Sequence, residues 1–251
     1  MENYKNHKDI CVIIPCAGKG TRLDLPFPKE LFPFEPGITL IDYCFSFLWP
    51  VRNRVRVVIV ISNGKLDTVK YLEKYIKHFE IVFIYQKPDE LELIGAVRSA
   101  ENLFLSNNIV MLPDTILQTK DNNENIFIET CRLLDAERRC VFWIKQEKRP
   151  EILLNEGSTY TTIDNNQLRL FQYIDKPSAN MVNSLNGYWG GFAFHIEKHE
   201  EFLNTMENII LKTNIPNFKQ TILYGSPAIE IKESFDLGIW KNLRDYIGEK
   251  I

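Results

Sequence analysis

A chain of 251 residues with 45% hydrophobic and 25% charged residues can bury a sizeable core without disulfide or metal staples. Its net charge of −3 excludes a global attraction to nucleic acid or to an anionic membrane, although a local basic cluster can still hold a small anion. Five cysteines (Cys11, Cys16, Cys44, Cys131, Cys140) form no CxxC pair, the start MENYKNHKDI is polar, and no run reaches the ~20 apolar residues of a membrane span, so a cytoplasmic protein with reduced, buried thiols is expected.

In chain order, short apolar and β-branched runs predict strands over Ile10–Cys16, Arg56–Ser62, Ile81–Tyr85, Asn108–Pro113 and Cys140–Lys145. Between them, amphipathic stretches predict helices over Leu40–Leu48, Leu66–His78, Leu93–Leu105 and Glu124–Glu137. Strands that alternate with helices build βαβ units and a parallel sheet. After Lys145 the pattern changes. Thr159–Ile163 and Leu168–Ile174 flank Asp164-Asn165-Asn166, which predicts a β-hairpin; Gly187–Ile196 reads as a strand, Glu197–Leu211 as a helix, and Ala228–Lys232 as a strand before a helix from about Gly238. No internal repeat or low-complexity linker interrupts the chain. One α/β domain over residues 1–251 is expected, with a β-rich second half.

The first strand ends in CAGKGTRLDLPFPKEL, residues 16–31. Ligands of open α/β sheets bind beyond the carboxyl ends of the strands. Glycine lets backbone N–H groups approach an anion closely, and Arg22 and Lys29 add a guanidinium fork and a point charge. The spacing is not that of a Walker A loop, and Leu23 occupies the third glycine position of a dinucleotide fingerprint.

Strand, then G-x-G-T-R, then P-K resembles the signature of the sugar-1-phosphate nucleotidyltransferases, the nucleotide-sugar pyrophosphorylases. The resemblance implies a single Rossmann-like nucleotidyltransferase domain with a mixed, mostly parallel central sheet. Residues 10–140 would form its nucleoside triphosphate half, and residues 141–251 a β-rich acceptor half. It implies that Ala17, Gly18, Gly20 and Thr21 wrap the nucleotide, while Arg22 and Lys29 act on its phosphates and help expel pyrophosphate. Gln86, followed by Gly95, resembles the family's nucleobase-reading segment, with an acidic Asp89–Glu92 insert between them. Asp114, at the end of an apolar strand, and Asp236, in Phe235-Asp236-Leu237-Gly238, resemble its Mg²⁺-binding carboxylates. Asp175-Lys176-Pro177 resembles the E-K-P motif that meets the sugar hydroxyl and sugar phosphate, here with the shorter acid, and Gly191 aligns with a sugar-contacting glycine.

These pieces occur in family order over roughly residues 10–245. The implied activity is Mg²⁺-dependent transfer of a nucleotidyl group, pyrimidine favoured, to a phosphorylated small molecule such as a sugar 1-phosphate. Neither nucleic acid nor membrane is an expected partner, and self-association is left open. The six-residue gap between Arg22 and Lys29 is closer to that of N-acetylglucosamine-1-phosphate uridylyltransferases and of cytidylyltransferases. A cytidylyltransferase acting on another phosphorylated or phosphonate alcohol therefore stays open, as does a catalytically silent nucleotide-binding regulator.

Overall fold

The computed structural model describes residues 8–90, 92–120, 125–214 and 216–248. The polar start of the chain, Leu91 of the acidic insert and the expected helix start at Glu124 lie outside the described residues. Among the described residues, twelve strands and seven α-helices follow in chain order: β1 Ile10–Pro15, β2 Pro33–Glu35, β3 Ile38–Thr39, α1 Leu40–Leu48, β4 Val55–Ile61, α2 Leu66–Leu72, β5 Glu80–Tyr85, α3 Glu92–Ser99, β6 Asn107–Met111, β7 Thr115–Thr119, α4 Ile126–Glu137, β8 Cys140–Gln146, α5 Pro150–Leu153, β9 Gly157–Asp164, β10 Gln167–Asp175, β11 Gly187–His195, α6 His199–Ile210, β12 Ser226–Asp236 and α7 Trp240–Gly248.

The described residues divide into two compact units. The first draws on Met1–Leu105, Val110–Leu117 and Ser234–Ile251, the second on Ser106–Ile109 and Gln118–Glu233.

In the first unit the strand order is β5-β4-β1-β6. Parallel pairing sets Val12 beside Val57 and Ile59 beside Phe83. Residues 10–14 of β1 are fully buried, as are Val57–Val60 of β4. That explains why these two stretches read as unbroken apolar runs: helices cover both faces of a parallel sheet. Leu40 of α1, Ile116 of β7, Leu237, and Leu243 and Tyr246 of α7 form one buried cluster, joined by Phe32, Phe34, Tyr43 and Phe235. Burying a side chain such as Leu237 contributes about 2 kcal/mol.

The second unit is mostly antiparallel, and its pairing runs around a ring. β8 pairs with β11 antiparallel and with β12 parallel; β12 pairs with β10, β10 with β9, and β9 returns to β11. The expected hairpin is β9–β10. Asn165 and Asn166 at its tip have φ of 49° and 62°, the left-handed pair that a tight hairpin turn requires. The Phe142, Phe192 and Phe202 rings pack on one another at 5.6–6.2 Å.

Several elements depart from the sequence reading. The helix expected over Leu66–His78 gives way after Leu72 to a 3-10 turn at Glu73–Tyr75, and the one expected over Leu93–Leu105 starts at Glu92 and ends at Ser99 before a 3-10 turn at Glu101–Leu103. β2, β3, β7 and the four-residue α5 carry too little periodicity to be read. β12 extends to Asp236, well beyond Lys232. All five cysteines are buried, and none is joined in a disulfide. Among the described residues no helix is long and apolar enough to cross a membrane.

The turn at Glu73–Tyr75 is set by tertiary contacts. Asp42, at the third position of α1, accepts from Thr39 N–H at 2.7 Å, Tyr71 OH at 2.5 Å and Tyr75 OH at 2.6 Å, and pairs with Lys74 at 2.8 Å. The Tyr75 ring stacks on Phe45 at 4.1 Å. Burial alone would raise the Asp42 pKa, but these donors outweigh it and hold the carboxyl below its ordinary value. Because the folded pKa is depressed, the stabilisation is present above the unfolded value and is lost as pH falls through the folded one. Asp42→Ala is expected to lose about 2–4 kcal/mol at neutral pH. Urea melts should show the gap between variant and wild type narrowing in acid.

Candidate active site

The basic loop begins where β1 stops. Cys16 N–H donates to the Val60 carbonyl at 2.7 Å, which keeps the chain in register with β4 for one residue more. Gly20 then turns the chain with φ of +68°, and its carbonyl accepts from Leu23 and Asp24 N–H at 3.1 Å. Leu23 is buried and anchors the loop, while Gly18, Thr21 and Arg22 are exposed and Ala17 is buried. The Trp240 indole N–H donates to the Leu23 carbonyl at 3.0 Å, tying the loop to α7.

Lys29 opens a 3-10 turn, Lys29–Leu31, and its Nζ meets Asp114 Oδ2 at 2.5 Å. Asp114 follows β6 directly after Pro113 and is 6% exposed. Its carbonyl accepts from Leu237 N–H at 2.8 Å, which brings the end of β12 alongside. Asp236 Oδ1 accepts from Gly238 N–H at 2.7 Å, and the Asp236 carbonyl from Asn242 Nδ2 at 2.8 Å.

Gly238 shows how closely the two acids converge. A Cβ on this residue would lie 2.8 Å from Asp114 Oδ2 and 2.9 Å from Asp236 Oδ1. The two carboxylates therefore flank one small space that only glycine leaves open. Burial pushes the Asp236 carboxyl above its ordinary pKa and the Asp114 charge pushes it further, with Gly238 N–H, Arg22 and Lys29 opposing. Burial works against the Lys29 charge, yet Asp114 and Asp236 outweigh it and raise its pKa. Two converging carboxylates with a cation against them form a hard-oxygen donor set that fits Mg²⁺, with phosphate oxygens and water to complete an octahedron.

Gln86 and Gly95 meet at Glu90. The Gln86 amide N–H groups donate to the Glu90 carbonyl at 2.6 Å and to the Glu92 carbonyl at 3.2 Å. A Cβ on Gly95 would come within 2.3 Å of the Glu90 carbonyl carbon, so the Glu90 backbone lies directly against α3.

Asp175, Lys176 and Gly191 fall in the second unit. Asp175 ends β10, and burial raises its pKa, with Lys176 and Lys212 opposing. Lys176 has φ of +47°, donates N–H to the Glu156 carbonyl at 3.0 Å, and is exposed. Its own carbonyl accepts from Lys212 Nζ at 3.5 Å. Gly191 lies beside a register shift between β11 and β8.

Sequence reasoning did not single out Glu30, Lys65, Lys212 or Trp240. A lone acid after Lys29 carries no mark of its burial. The Ser62-Asn63-Gly64 turn before Lys65 was the available signal, since it follows a strand end where ligands bind.

No family model matches the sequence, and no curated protein matches it. Solved structures do. A UDP-glucose pyrophosphorylase complexed with UDP-glucose is 18% identical and matches with a TM-score of 0.74, over 97% of this chain and 98% of that one. The UTP-bound UGPase of Acinetobacter baumannii is 16% identical with a TM-score of 0.70, over 97% and 93%. A Bacillus anthracis chain described as a glucose-1-phosphate thymidylyltransferase, solved with sucrose, is 16% identical with a TM-score of 0.69, over 96% and 94%. The chain has the fold of the sugar-1-phosphate nucleotidyltransferases.

Gly238→Ala tests the convergence directly. The added methyl group must push the two carboxylates apart, so binding of Mn²⁺ by the protein, read by electron paramagnetic resonance, is expected to weaken about tenfold or more. Wild-type affinity in this variant would separate the two acids from a common ion.

Proposed function

We propose that the protein is a Mg²⁺-dependent nucleotidyltransferase that joins a nucleoside triphosphate to a sugar 1-phosphate and releases pyrophosphate. The observation that carries the reading is the meeting of Lys29, Asp114 and Asp236 around Gly238, within the unit that holds the G-x-G-T-R loop.

The reaction forms a bond from an acceptor phosphate oxygen to the α-phosphorus and breaks the bond from that phosphorus to the bridging oxygen of pyrophosphate. A phosphate monoester has a second pKa of ~6, so at neutral pH the acceptor is mostly a dianion and needs no general base. The task is to hold two anions together and to offset the charge that develops on the leaving group. Arg22 and Lys29 would bear on the departing pyrophosphate, with the loop from Ala17 to Thr21 around the triphosphate. Mg²⁺ held by Asp114 and Asp236 would neutralise phosphate charge. In the second unit Asp175 would accept from an acceptor hydroxyl near Gly191, and Lys176 would bind the acceptor phosphate.

Gln86 supports a finer choice of base. With its amide N–H groups donated to Glu90 and Glu92, it keeps Oε1 as an acceptor. An acceptor suits the ring N3–H of uracil or thymine and disfavours cytosine, whose N3 is itself an acceptor. UTP or dTTP is therefore expected to outperform CTP.

Pyrophosphate release across a grid of NTPs and phosphorylated acceptors tests the reading, and EDTA should abolish turnover. Asp114→Asn and Asp236→Asn should each lose most activity, and the double variant should be little worse than the poorer single one, because residues that act as a unit are non-additive. Asparagine preserves shape and capping capacity, so near-normal turnover in either variant would remove that residue from the site. Nucleotide binding without turnover anywhere in the grid would favour a silent regulator.

A further inference from the structure

Directly after Lys29 the chain buries a second charge. Glu30 is 0% exposed, and its carboxylate accepts from Lys65 Nζ at 3.0 and 3.2 Å and from Thr68 Oγ1 at 2.7 Å. Lys65 is 7% exposed and Thr68 is fully buried. Lys65 closes the turn after β4, donating N–H to the Ser62 carbonyl at 3.2 Å, and its own carbonyl accepts from Thr68 N–H at 3.1 Å. One carboxylate thus joins the turn that carries Lys29, the end of β4 and the start of α2. It also stands near the root of the glycine loop: after burial itself, the Glu30 charge does most to raise the Cys16 thiol.

The Lys29–Leu31 turn is closed by Leu31 N–H on the Pro28 carbonyl at 2.9 Å and Phe32 N–H on the Lys29 carbonyl at 3.0 Å. With three residues per turn, successive side chains diverge by about 120°, so fixing Glu30 in the core fixes the direction of Lys29.

We propose that Glu30 is a positioning residue that acts through Lys29: Lys65 and Thr68 clamp its carboxylate, the turn cannot rotate, and the Lys29 ammonium is held at Asp114. This rests on the reading of Lys29 as a phosphate-binding cation. Stability alone does not account for the pair, because apolar residues of similar volume commonly replace a buried ion pair at no loss. Direction is what the apolar pair would lack.

The test is one double variant, made alone and in a Lys29→Ala background. Glu30→Gln alone strands the Lys65 charge and is expected to melt early, so Glu30→Leu with Lys65→Met serves as the folded control. It should melt within about 5 °C of wild type. Its kcat/KM for the nucleotide should nevertheless fall about 10²-fold, the usual consequence of a small misplacement. KM for the acceptor should not move. In a Lys29→Ala background the same apolar pair should cost little more than Lys29→Ala itself, since the residue it places is gone. A full further loss in that background, or wild-type kcat/KM in the apolar pair, would overturn the proposal. Binding of inorganic tripolyphosphate, measured by calorimetry without acceptor, separates this outcome from failure of the catalytic reading. If no acceptor pair turns over, weaker tripolyphosphate binding in the apolar pair still supports placement of Lys29, and unchanged binding refutes it.

Discussion

Two ionised carboxylates repel each other in a small buried space unless a cation faces them. Asp114 and Asp236 flank the position where Gly238 lacks a Cβ, and Lys29 meets Asp114 at 2.5 Å. The local architecture follows from that constraint. β6 must stop short of Asp114, β12 must run on to Asp236, and residue 238 must be glycine. The loop after β1 must return to the site through Lys29, and the Trp240 bond to the Leu23 carbonyl fastens that loop from the far end of the sequence.

The two units solve burial in different ways. The first pairs parallel strands, and in β1 and β4 the central residues are apolar and buried on both faces. The second curls mostly antiparallel strands into a ring of pairings, which leaves few unpaired backbone groups at an edge. The unit of parallel strands carries the converging acids and the glycine loop. The ring carries Asp175, Lys176 and Gly191.

Much of this was legible in the sequence where a signal was local. Alternating apolar runs and amphipathic stretches gave β1, α1, β4, β5 and β8 to within a few residues, and the asparagine pair gave the β9–β10 turn. The G-x-G-T-R and P-K elements, read together and in order with Asp114 and Asp236, gave the candidate site. What stayed hidden depends on contacts distant in sequence. Lys74, Tyr71 and Tyr75 meet Asp42 only after folding, so the end of α2 could not be read. Glu30 looks like a solvated loop acid until Lys65 is placed against it. The approach of Glu90 to Gly95 is a further contact that spacing alone does not express.

The first unit is assembled from three separate stretches of chain, and the last of them completes its apolar cluster. During synthesis Leu40 and Ile116 emerge long before Leu237, Leu243 and Tyr246, with all of β8 to β11 made in between. Until then the nascent chain presents an apolar face with no cover, and Asp114 without Asp236. The interval invites chaperone binding. The meeting of Asp114 and Asp236 waits for translation of the stretch that begins at Ser234.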